Sequence, residues 1–115
     1  MWNRYLSEVV PGSQTQTKTI SSLEKVQFIH LQKLPEQTTV YGLEILVNGE
    51  TDRTLMMLFG PKQDEYTQQI TLKKGKINFN YSAKWPANDC YVYFPSEPGS
   101  KVDMKIEYRF LTESN

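Results

Sequence analysis

Residues 101–110 read KVDMKIEYRF, and they alternate without a break. Val102, Met104, Ile106, Tyr108 and Phe110 fall on one side, while Lys101, Asp103, Lys105, Glu107 and Arg109 fall on the other. Successive side chains of a strand point to opposite faces, so this is the pattern of a half-buried antiparallel strand with core beneath and water above.

The same period of two recurs upstream. Ile77, Phe79 and Tyr81 alternate with Lys76, Asn78, Asn80 and Ser82, and Tyr66, Gln68, Ile70 and Leu72 alternate with Thr67, Gln69, Thr71 and Lys73. The intervening Lys73-Lys74-Gly75-Lys76 reads as a hairpin turn. Thr39–Val47 and Arg53–Phe59 are β-rich runs with apolar residues on both faces in places, which predicts a central position. Asn48-Gly49 between them predicts a second hairpin.

The stretch Ser21 to Leu34 reads two ways. Ser21-Ser22-Leu23-Glu24 matches a helix capping box and Pro35 would end a helix, whereas Val26 to Leu31 is β-rich and holds no single helical stripe. Strand is the expectation. Tyr5–Val10 is expected to be a strand closed by Pro11-Gly12, and Gln14–Ile20 a Thr-rich edge strand or a loop. Together these make about eight short strands with a turn signal roughly every ten residues, which predicts one all-β domain over residues 1–115. The expected architecture is an antiparallel β-sandwich of jelly-roll or Greek-key type.

Composition narrows the function classes. Thirteen basic residues balance thirteen acidic ones, so no net field draws the chain to nucleic acid. One cysteine forbids an internal disulfide and a cysteine zinc site. No apolar run of signal-peptide length follows Met1, and no stretch approaches the ~18 apolar residues of a membrane span. The expectation is a soluble chain, either cytoplasmic or a mature extracellular domain.

Candidate chemistry is sparse. Cys90 and His30 would be the members of a nucleophilic dyad, but Cys90 begins the alternation Cys90, Val92, Phe94 and so belongs to the core face, where a thiol is inert. His30 has no ligand partners at metal spacing. Glu44, Asp89, Glu97, Asp103 and Glu107 are possible members of a carboxylate pair, yet Asp103 and Glu107 alternate with lysine and arginine as a solvated face does. Asp52, Asp64, Glu65 and Asp89 lack the spacing of a calcium loop. Phosphate-loop, dinucleotide, serine-hydrolase and zincin motifs do not occur, so neither catalysis, cofactor nor metal is expected.

What stands out is SAKWPANDCYVYFPSEPGS, residues 82–100. With Cys90, Val92 and Phe94 turned inward, the pleat turns Tyr91 and Tyr93 outward, about 7 Å apart. Trp85 in the loop before them is expected beside the pair, and Asn78 and Asn80 are expected to add amides if their strand is a neighbour. Three readings stay open for Trp85, Tyr91, Tyr93, Asn78 and Asn80. They form a ligand platform for carbohydrate or another polar polymer, a protein or homo-oligomer interface of a virion, appendage or secretion subunit, or the outer skin of a strand. Pro95-Ser96-Glu97-Pro98-Gly99 has polyproline spacing but is expected to be a rigid loop. Asn80-Tyr81-Ser82 is a glycosylation sequon.

Overall fold

The computed structural model describes residues 15–112. They form strands β1 (Gln16–Ile20), β2 (Gln27–Gln32), β3 (Val40–Thr51), β4 (Leu55–Gly60), β5 (Gln68–Leu72), β6 (Gly75–Lys84), β7 (Asp89–Phe94) and β8 (Val102–Thr112). The expected Tyr5–Val10 strand lies outside the described residues.

Two four-stranded antiparallel sheets face each other, one ordered β1-β8-β3-β6 and the other β2-β7-β4-β5. The pairs β1 with β8, β2 with β7, β3 with β6 and β4 with β5 nest inside one another. The chain is therefore one long hairpin, its tip between β4 and β5, folded over on itself. This is the jelly roll, one of the two connectivities expected.

Inward residues of both sheets interdigitate. Leu43, Ile45 and Val47 of β3 and Met104, Ile106, Tyr108 and Phe110 of β8 meet Leu55, Met57 and Phe59 of β4 and Cys90, Val92 and Phe94 of β7, all of them buried. Residues 101–110 thus behave as their alternation requires, and β8 sits between β1 and β3. No helix forms over 21–34. Glu24 N–H donates to Ser22 Oγ at 3.2 Å in a local turn. The following Gln27–Gln32 pairs with β7.

Both expected hairpins are corrected. β3 runs straight through Asn48-Gly49 and ends at Thr51, and β4 belongs to the opposite sheet, so the turn is an arch between sheets. A strand glycine also marks close backbone approach, and that is its use here. Gly49 has φ 152°, and a Cβ on it would lie 2.0 Å from the Asp103 carbonyl oxygen and 2.7 Å from Met104 Cα. The arch itself is held by the β8 entry. Asp52 N–H donates to Lys101 O, and Lys101 N–H donates to the Asp52 carboxylate, each at 3.0 Å. That backbone donor holds the Asp52 carboxyl below its ordinary range. Lys73-Lys74 likewise joins β5 to β6 across the sandwich rather than within a sheet.

The Pro95–Gly99 segment is a loop, tied to its neighbours by hydrogen bonds. Glu97 N–H donates to Leu23 O at 2.7 Å, Gly99 N–H to Glu24 Oε2 at 2.8 Å, and Arg53 Nη1 to Pro98 O at 3.3 Å.

Gly49→Ala is expected to lower stability by at least about 2 kcal/mol, because the new methyl meets backbone rather than a yielding side chain. Urea unfolding should show a lower midpoint with an unchanged slope. An unchanged midpoint would refute the close approach.

Candidate functional site

The β7 segment DCYVYF alternates between faces as its sequence demands. Cys90, Val92 and Phe94 are buried, and Asp89, Tyr91 and Tyr93 are half-buried on the outer face. The β2–β7 register sets Phe28 opposite Tyr93 and His30 opposite Tyr91. The Phe28 and Tyr93 rings are 5.0 Å apart, and His30 stacks on Tyr91 at 4.3 Å. Such cross-strand ring pairs stabilise a sheet while presenting their free faces outward. Phe28 is 61% exposed, the largest value among the exposed large hydrophobic residues of the described segment.

One more aromatic arrives from a loop. Around Gln63-Asp64 the chain turns back, with Glu65 N–H donating to Lys62 O at 3.1 Å and Asp64 at φ 66°. The returning strand of the loop lies over Gly60, where a Cβ would be 2.2 Å from Glu65 O. Tyr66 then stacks on Tyr93 at 5.8 Å. The sequence placed Tyr66 in the same alternation as β5, but β5 begins at Gln68. Between these rings lies a groove of about 200 Å³ lined by Phe28, His30, Gln63, Tyr66 and Tyr91. Burial pushes the Tyr66 hydroxyl above its ordinary range.

Polar contact on this face is concentrated at one point. His30 Nε2–H donates to Asp89 Oδ1 at 2.8 Å, and both side chains remain over a third exposed. His30 is thus an exposed histidine with a carboxylate partner.

Trp85 is not on the surface. It is 4% exposed, its ring 6.2 Å from Tyr81 and 6.3 Å from Phe59, and its Nε1–H donates to Asp89 O at 2.8 Å. Burial of a large apolar ring with one satisfied polar atom explains the outcome. Trp85 fixes the first residue of β7 from inside the sandwich. Asn78 and Asn80 are exposed but on β6, an edge strand of the opposite sheet that pairs with β3. The five-residue surface expected from the sequence is therefore reduced to Tyr91 and Tyr93, joined by Phe28, His30 and Tyr66. Phe28 and His30 alternate with Ile29 and Leu31, a signal that gains meaning only when β2 is known to lie beside β7.

Cys90 and His30 do not meet as a dyad, since they project from opposite faces of the same sheet. Burial pushes the Cys90 thiol up to about 12. Among the carboxylates, Glu44 accepts from Arg109 Nε at 3.0 Å, the cross-strand charge pairing expected on that face. No group of three His, Cys, Asp or Glu side chains among the described residues is arranged to hold a metal ion.

The outer faces of the two sheets differ in composition. Glu44, Arg109, Lys105, Glu107, Asn78 and Asn80 make one largely polar and charged around Leu46, whereas the other sets Phe28, Tyr91, Tyr93, Leu58 and the 40% exposed Met56 among the polar His30, Asp89, Gln69 and Thr71.

Comparison with known proteins bears on the fold. No family model and no curated protein sequence matches this chain. A solved chain from Bacillus endospore appendages, described as forming a family of disulfide-linked pili, is similar in fold: TM-score 0.57 over 88% of each chain, with 6% sequence identity.

An alkaline titration of stability tests the buried thiol. Above an ordinary value of 9.0 the unfolded chain loses the Cys90 proton while the folded chain keeps it to about 12. The unfolded state then binds fewer protons, so stability falls as pH rises, by up to about 1.4 kcal/mol per unit. Cys90→Ala should flatten the slope just above pH 9, below the range in which tyrosines join. An equally steep slope in the variant would show that the thiol is not the cause.

Proposed function

We propose that this chain is a non-catalytic structural or assembly subunit, and that the apolar outer face of the β2-β7-β4-β5 sheet is where copies associate. The observation that carries the reading is the Phe28, Tyr91, Tyr93 and Tyr66 cluster beside a charged opposite face. Aromatic residues with polar tips are enriched where proteins bury surface against each other, and contiguous exposed apolar surface is rare without a use. The fold-level likeness to a pilus chain supports the same class.

The carbohydrate reading of the sequence loses its composite site, because Trp85 faces the core and Asn78 and Asn80 belong to the other sheet. Covalent linkage of the kind described for the appendage chain has no counterpart within this fold, where the one cysteine of the sequence is buried. Assembly would here be non-covalent. Electrostatics favour it, since the sequence carries no net charge at pH 7 and repulsion between copies is weak.

Light scattering across a wide concentration range tests the proposal. The wild-type mass should rise with concentration, and Phe28→Asp should weaken association by about tenfold or more while costing the fold only about 1 kcal/mol, the worth of its ring pair with Tyr93. Double replacement of Tyr91 and Tyr93 by alanine should act in the same direction. A monomer at every concentration, or association indifferent to Phe28→Asp, would overturn the reading.

A further inference from the structure

Strand β6 is one edge of the other sheet. β6 is ten residues long and, among the described residues, pairs with β3 alone. About half of its backbone N–H and C=O groups therefore point away from the sheet, as a template for another strand. Proteins ordinarily blunt such an edge with lysines, proline, a bulge, a short strand or an inward charge. β6 has lysines only near its two ends, Lys76 and Lys84, and none of the other devices. Its register with β3 is continuous from Gly42 opposite Lys84 to Thr51 opposite Gly75, and GKINFNYSAK holds no proline. Its inward residues Ile77, Phe79 and Tyr81 are apolar, the last two only half-buried although packed against the core. By contrast the opposite edge, β1, is five residues long and carries Lys18 on its core-facing side, opposite Ile106.

We infer that β6 pairs antiparallel with β6 of a second copy, joining two β1-β8-β3-β6 sheets into one. The inference rests on the assembly reading above and adds to it an interface of different chemistry.

The pleat restricts the register. A two-fold axis normal to the sheet keeps both inner faces on the same side only when odd-numbered residues oppose odd-numbered ones. Of the registers that remain near the strand centre, the one setting Asn80 against its own copy also sets Lys76 against Lys84, a like-charge pair formed twice. The register setting Asn78 against its own copy leaves Tyr81 opposite Gly75. The register with Phe79 opposite Phe79 sets Ile77 against Tyr81, Asn78 against Asn80 and Lys76 against Ser82. It extends the half-buried apolar row through the contact without opposing two charges inside it. Phe79 at the centre gains the cover that its own fold withholds.

Asn78 and Asn80 give a test that leaves the fold alone. Both are exposed, and their partners on β3 are the uncharged Asn48 and Leu46. N78K/N80K sets lysine against lysine twice across the contact, whereas N78K/N80D sets lysine against aspartate twice. Sedimentation should show association weakened about fivefold in the first and tightened about fivefold in the second, from two cross-strand charge pairs. In mild oxidation of an equimolar mixture, Asn78→Cys and Asn80→Cys chains should give mixed disulfides in excess over either homodimer, with the buried Cys90 silent. Association that responds to Phe28→Asp but is indifferent to the charge swap overturns the edge pairing and leaves the apolar-face reading standing. A response to the swap but not to Phe28→Asp supports the edge and removes the face. A monomer at every concentration ends both.

Discussion

A strand side chain has two directions available, and burying Cys90, Val92 and Phe94 uses one of them. Everything placed on the outside of β7 follows from that, because Asp89, Tyr91 and Tyr93 have nowhere else to go. The same constraint on β2 turns Leu31 inward and sends Phe28 and His30 out beside the tyrosines. The apolar outer face is thus a by-product of filling the core, chosen by residue types at the positions left over. Those types are richer in aromatic rings on one sheet and richer in charge on the other, and that difference makes the two faces of the sandwich inequivalent.

Trp85 shows how the core and the surface are coupled. Its indole fills space against Phe59 and Tyr81 while its N–H holds the Asp89 carbonyl, and the Asp89 carboxylate on the outside holds His30. One residue at the start of β7 therefore connects an interior anchor to the exposed ring stack. The Pro95–Gly99 loop works in a similar way at the far end, tied to Leu23 and Glu24 before β2 and leading toward β8.

The nested pairing also decides where edges fall. A jelly roll leaves four edge strands, and their protection is uneven: β1 is short and bears an inward lysine, whereas β6 is long, unbroken and apolar on its inner side. Apolar face and open edge lie on different sheets. Side-chain burial on the one and backbone pairing on the other are chemically distinct kinds of contact.

Strand identity was legible because period two is a local property: KVDMKIEYRF and DCYVYF announce which residues go in and which go out before any partner is known. The class of fold and the inert placement of Cys90 follow from the same alternation. Partner identity is not local. Asn48-Gly49 has the composition of a turn and the position of a close approach, and only the passage of β8 beside it at Asp103 distinguishes the two. Trp85 sits among loop residues, and its burial depends on a cavity built by β4 and β6. Tyr66 belongs by pattern to a strand and by structure to a loop folded over Gly60. Whether Asn78 and Asn80 join Tyr91 depended on strand order, which the sheet assigned to opposite layers. The sequence by itself determined the direction of each side chain relative to its own strand, since the pleat allows two. The tertiary structure alone decided which strands are neighbours, because hydrogen-bonded ladders accept any strand of suitable face and length, and the nesting of the whole chain makes the choice.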